Sequence, residues 1–174
     1  MRLFVAVWPC RDIVTQLAAV PRPPIAGVRW TTEDQWHVTL RFLGEIDGAE
    51  PVLAALEPAA TAAAPVAATL GSATSFVHGM IWATVEGLDL LAGRVIDATA
   101  ALGAPPGPRP FRGHITLARQ NQREQPAATR RALRAAAGVA LSGTWTVEAL
   151  EVVESQLHSR GARYRTVARL PLGR

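Results

Sequence analysis

Apolar and polar positions along the chain follow two rhythms. Strand-like alternation or short continuous apolar runs occupy residues 2–8, 36–43, 66–70, 80–85, 111–119, 144–153 and 164–170. Helical spacing appears at residues 12–20, where Ile13, Leu17 and Val20 share a face and Pro21 ends the run. It returns at residues 49–64, with Pro51 where a helix start tolerates it and Pro58 as an expected break. A third helix is predicted over residues 88–102, with Leu88, Leu91, Val95, Ala98 and Leu102 on one side, and a fourth over residues 126–137. Residues 21–27 and 103–110 read as loops. The strands at 66–70 and 80–85 look like hairpin neighbours, which argues against a purely parallel sheet and for an α+β fold. No shift in composition marks a linker, so residues 1–174 are expected to form one domain.

Composition narrows the function classes. Apolar residues make up 49% of the 174 positions and charged residues 18%, enough to build a core. Ala contributes 32 positions and buries little area, so Leu, Val, Ile and the five Trp must carry the interior. Every one of the 18 basic residues is Arg, and the net charge is only +4. That leans towards anionic partners without the basic runs of a dedicated nucleic-acid binder. A lone cysteine, Cys10, leaves no disulfide framework and no Cys-rich zinc module. The apolar stretch after Arg2 stops at Pro9, too short for a signal peptide, and no run of 18 apolar residues suggests a membrane span. A cytoplasmic monomer without metal or cofactor is the expectation.

One internal repeat carries the chemistry. His37-Val38-Thr39-Leu40 and His114-Ile115-Thr116-Leu117 differ only by a Val/Ile exchange. With four His in the chain, two such matches arise by accident in roughly a few of ten thousand cases. On a strand, residues i and i+2 share a face, so each His projects beside its Thr while Val38, Leu40, Ile115 and Leu117 turn to the core. Two such pairs facing one another would surround a tetrahedral anion. The hydroxyls of Thr39 and Thr116 can donate to its oxygens, one imidazole can deprotonate water, and the other can protonate a leaving alkoxide. The same parity puts Arg41 and Arg112 on that face as guanidinium clamps, if the strands extend so far. Two His could also ligate zinc, but no third ligand stands at a suitable spacing. His78, before Gly79, reads as a turn residue and His158 as part of a polar stretch; neither is expected to be catalytic. Arg130, Arg131 and Arg134 read as a solvated helix face, and the five Trp as packing, with base stacking an open alternative for Trp30 and Trp36 near the first motif.

With these motifs the sequence resembles the two-histidine (2H) phosphoesterases, and among them the LigT/ThpR-like RNA 2′,3′-cyclic phosphodiesterases, also known as 2′-5′ RNA ligases. The resemblance runs over nearly the whole chain. It includes Arg2-Leu3-Phe4-Val5-Ala6, Val28-Arg29-Trp30, Ile81-Trp82-Ala83, Val153-Glu154-Ser155 and both motifs with their flanks through Glu45 and Arg119. It implies two lobes, each a small antiparallel sheet with outer helices, whose motif strands face one another across a cleft. It implies metal-free opening of a terminal 2′,3′-cyclic phosphate on RNA to a 2′-phosphate, with His37 as proton donor to the leaving 3′ oxygen and His114 as the base that activates water. It also implies that Phe42 and Arg119, each five residues after its His, lie near the nucleobase. Strand parity contradicts this, since an odd offset points to the opposite face. Gly113 stands where many relatives carry Pro. The alternatives are 2′-5′ ligation, action on a small cyclic nucleotide, and a non-catalytic module that binds RNA ends.

Overall fold

The structure is a computed structural model that describes residues 1–121, 126–158 and 161–173. Its elements run β1 (Arg2–Val7), α1 (Arg11–Ala18), β2 (Val28–Trp30), β3 (Val38–Glu45), α2 (Glu50–Thr61), β4 (Val66–Val77) and β5 (Met80–Glu86). They continue with α3 (Asp89–Ala98), β6 (His114–Gln120), α4 (Ala127–Ala136), β7 (Thr144–Val147), β8 (Ala149–His158) and β9 (Gly161–Pro171). The strands form two antiparallel sheets, one in the order β3-β1-β8-β9 and one in the order β2-β6-β5-β4-β7. The α+β, two-sheet architecture matches the expectation. Each motif falls on a strand of a different sheet, with its partner β1 or β5 alongside.

Helices α2 and α3 pack on the four-stranded sheet, and α4 packs on β4 of the other. Helix α1 follows β1 yet is tied to the segment before β7, where the Gln16 amide donates to the Ser142 carbonyl and accepts from the Ser142 N–H (2.8 and 2.7 Å). One apolar core runs between the layers, from Leu3, Val5 and Val7 through Leu56 and Val95 to Ile115 and Leu133. The opposite face of β1 carries a second, smaller cluster of Phe4, Ala6 and Val153, flanked by Trp8 and Tyr164. Being covered on both faces, β1 reads as an unbroken apolar run instead of an alternating one. None of the described helices is long and apolar enough to cross a membrane.

Several boundaries differ from expectation for physical reasons. The stretch 144–153 is two strands, because the chain leaves the five-stranded sheet after Val147 and enters the other at Ala149. Pro58 does not end its helix. The helix runs on past it to Thr61, and the Pro58 carbonyl still accepts from the Ala62 N–H at 3.0 Å. Strand β4 continues to Val77, and its hairpin with β5 turns on His78 and Gly79, both at positive φ (45° and 77°), as a two-residue type I′ turn requires. The three-residue strand β2 escapes the periodicity test because it spans barely one alternation.

Strand β6 begins only at His114, not at residue 111, and just before it the Gly113 carbonyl accepts from the Val85 N–H at 2.9 Å. A Cβ at Gly113 would stand 2.3 Å from the Val85 carbonyl oxygen, so the backbone hugs its neighbour before the strand starts. Gly113→Ala is therefore expected to destabilise the fold by roughly 1–3 kcal/mol. Calorimetry checks this; an unchanged melting temperature would show that the close approach is not needed.

Candidate active site

Both motif strands carry the same irregularity. In the β1–β3 ladder, Val5 faces Arg41 while the next residue, Ala6, faces Thr39, so Leu40 is extra. In the β5–β6 ladder, Ile81 faces Ala118 while Trp82 faces Thr116, so Leu117 is extra. A β-bulge at the fourth residue of each motif inverts the side-chain alternation beyond it. From each His the burial then reads alike: Val38, Leu40, Arg41 and Leu43 are buried with Phe42 exposed, as Ile115, Leu117, Ala118 and Gln120 are buried with Arg119 exposed.

The bulges correct the parity argument in both directions. Phe42 and Arg119 return to the cleft beside Thr39. Arg41 is turned away from it. Its guanidinium is buried and donates to the carbonyls of Phe42, Leu102 and Ala104, pinning the loop after α3 to β3. Arg112 also lies outside the cleft. It precedes β6, and its side chain borders a separate hollow with Trp82, Glu86 and Asp89.

The four motif residues converge as expected. His37, Thr39, His114 and Thr116 line one pocket of about 50 Å³ together with Arg29, Thr31, Gln35, Arg119 and Tyr164. At about 10–15 Å³ per water this holds roughly three to five waters, a space on the scale of one small anion. The two imidazoles are hung alike. His37 Nδ1 donates to the Gln35 carbonyl and His114 Nδ1 to the Arg112 carbonyl, each two residues back and each at 2.8 Å. That fixes the proton of the neutral ring on Nδ1 and offers Nε2 to the pocket. On the first motif Nε2 accepts from the Thr39 hydroxyl at 3.1 Å.

Tertiary contacts lock the frame. The buried Trp36 donates its Nε1–H to the Thr31 hydroxyl (2.9 Å), which in turn donates to the carbonyls of Thr116 and Leu117 (2.7 and 3.0 Å). A hydrogen-bonded chain thus runs from the residue before His37 to the bulge of the second motif. Gln35 ties the same corner to β9 by donating to the Ala162 carbonyl.

The surroundings of the rings differ. His37 stands among Phe4, Trp8 and Tyr164, with ring centroids 4.8, 5.2 and 5.0 Å away. Burial there, helped by the charges of Arg119 and His114 against a carbonyl that pulls the other way, brings its pKa down to about 4. His114 is stacked on Trp82, with centroids 3.7 Å apart and planes 15° from parallel. Its pKa is also lowered, by burial first and then by Arg119 and Arg112, against the Arg112 carbonyl. Both rings are therefore neutral at pH 7 in the empty site. Arg29 and Arg119 are directly opposite one another in the β2–β6 ladder and both line the pocket, so an anion between them is favoured.

Sequence reasoning missed Arg29, Tyr164 and Trp82. Arg29 lies on the short strand that periodicity does not detect. Tyr164 reaches His37 from the far end of the chain, and Trp82 meets His114 only through the β5–β6 register. Of the residues set aside, His158 lines the wider groove beside the pocket.

A duplicated two-histidine site on facing sheets defines a phosphoesterase-like α+β protein. The sequence profile of the 2′-5′ RNA ligase superfamily matches residues 22–158, and the chain belongs to this family of 2H phosphoesterases. An RNA 2′,3′-cyclic phosphodiesterase of Geobacillus stearothermophilus is 30% identical over 152 residues; these cover 82% of this chain and 47% of that protein, so the chain spans about half its curated relative's length. Among solved structures, TT0787 of Thermus thermophilus superposes with a TM-score of 0.82 at 28% identity, covering 99% of this chain and 98% of the other. E. coli LigT in complex with 3′-AMP gives a TM-score of 0.74 at 26% identity, with the same coverage of both chains.

Proposed function

We propose that this chain opens a terminal 2′,3′-cyclic phosphate on RNA by two-histidine acid–base catalysis without a metal, leaving a 2′-phosphate. The observation that carries the reading is the convergence of both imidazoles, identically hung, on one small pocket shared with two Thr hydroxyls and Arg119. The cyclic phosphodiesterase relative and the 3′-AMP held by E. coli LigT support a nucleotide ligand.

The phosphate enters with Thr39, Thr116 and Arg119 on its oxygens, and its charge raises the affinity of the neighbouring imidazoles for a proton. His114 Nε2 takes a proton from water as the water oxygen bonds to phosphorus. The bond from phosphorus to the 3′ oxygen breaks, and protonated His37 gives its proton to that oxygen. The products are a 2′-phosphate and a 3′-hydroxyl, and solvent resets the two rings. Ring strain in the substrate and fixed donors share the work with the acid and base.

An oligoribonucleotide ending in a 2′,3′-cyclic phosphate, followed by phosphorus NMR with and without chelator, tests this. The expected result is a 2′-phosphate product under both conditions. A 3′-phosphate product would reverse the leaving-group assignment, activity lost on chelation would replace the metal-free mechanism, and no opening would remove the reading.

A further inference from the structure

The pocket around the two imidazoles shares Arg29, His37, Thr39, Arg119 and Tyr164 with a groove of about 860 Å³, far more space than one phosphate needs. Its lining turns on β1. Arg2 and Phe4 are alternate residues of that strand and share the cleft face. The ring of Phe4 lies 4.8 Å from that of His37 and opposite Phe42 in the ladder, and Arg2 is two residues, about 7 Å, further from the pocket.

Arg2 carries an unusual charge. Its guanidinium lies 5.0 Å over the ring of Phe42, a cation–π contact that fixes its place in the groove. Its Nε is buried with no hydrogen-bond partner among the described residues. Glu45, its neighbour in the ladder, instead faces the Met1 amine at 3.5 Å. No Asp or Glu stands among the described residues that line the groove, while Arg29 and Arg119 add to its positive character. A half-buried cation held on an aromatic platform, beyond the reacting phosphate, is what a single-stranded nucleic acid backbone meets in a binding channel.

We propose that Arg2 is a subsite for the phosphodiester that joins the terminal nucleotide to the one before it, so that an oligonucleotide end is preferred over a mononucleotide. This rests on the phosphoesterase reading above. Arg2 touches no reacting atom, so its effect is on selection of the substrate.

The test compares kcat/KM for a cyclic mononucleotide, for a trinucleotide ending in the cyclic phosphate, and for that trinucleotide with its last linkage made a neutral methylphosphonate. For Arg2→Gln, the trinucleotide-to-mononucleotide ratio is expected to fall roughly tenfold, with partial recovery in Arg2→Lys. The native enzyme should show a similar loss on the methylphosphonate, and Arg2→Gln no further loss on it. An unchanged ratio, or equal losses on charged and neutral linkages, overturns the subsite. Should Arg2→Gln fail to fold, the methylphosphonate comparison on the native enzyme decides alone. Should the native protein open neither substrate, the catalytic reading fails by itself, and equilibrium binding of a 3′-phosphorylated trinucleotide decides the subsite. Tenfold weaker binding by Arg2→Gln, confined to the charged linkage, supports it; equal binding overturns it.

Discussion

Replacing either His37 or His114 with Ala is expected to lower kcat by about a hundred- to ten-thousandfold while KM changes little, because the proposed mechanism uses each ring for a proton transfer and not for ground-state binding. The double replacement should cost hardly more than the worse single one, since an acid without its base completes no turnover. The fold should tolerate both changes. Neither ring belongs to the main apolar core; beyond its ring contacts, each hydrogen-bonds a carbonyl of its own segment, and His37 also the Thr39 hydroxyl. Single-turnover kinetics on a cyclic-phosphate oligonucleotide, with melting temperatures in parallel, checks this. Losses that simply multiply in the double variant would point to two independent binding roles.

The second large effect is on stability towards acid. His37 has a pKa of about 4 in the native state against an ordinary 6.5, because burial resists the imidazolium. Between these values the unfolded chain binds more protons than the native one, so stability falls as pH drops from about 7 to 4. The shift amounts to a loss of up to about 3 kcal/mol for this ring, and His114 acts in the same direction. An anion in the pocket opposes the effect by stabilising the charged rings. Sulfate, whose charge is constant in this range, is expected to raise the melting temperature more at pH 5 than at pH 7.5 and to bind with uptake of a proton. His37→Gln should flatten both trends, which separates site binding from the general salting effect of sulfate. A native protein whose melting temperature ignores pH in this interval would contradict the buried, neutral ring.

How much was legible beforehand follows from the range of each interaction. The motif strands were readable because alternation is local: Val38 and Ile115 had to turn inward, so His37 and Thr39, like His114 and Thr116, had to turn outward. Alternation also misled, and in a regular way. It assumed unbroken ladders, so it placed Arg41 in the cleft and Phe42 and Arg119 behind it. One inserted residue at Leu40 and another at Leu117 reversed all three, and a bulge shows only in how a strand pairs with its neighbour. Arg112 failed for another reason: it lies ahead of β6, which begins at His114, so strand alternation does not extend to it. The resemblance implied that Phe42 and Arg119 lie near the nucleobase, and both residues line the groove beside Thr39.

The amino-acid order alone settled the α+β class, the repeated motif, and the outward parity of the four side chains to which the proposed chemistry is assigned, since all of these rest on short-range periodicity and identity. Tertiary structure decided that the two motif strands, in separate sheets, share one pocket and that a bulge in each re-aims the residue five places on. It also put His37 among aromatics and His114 against Trp82. Those outcomes depend on contacts between residues far apart in the chain, and no local pattern encodes the register in which two strands meet.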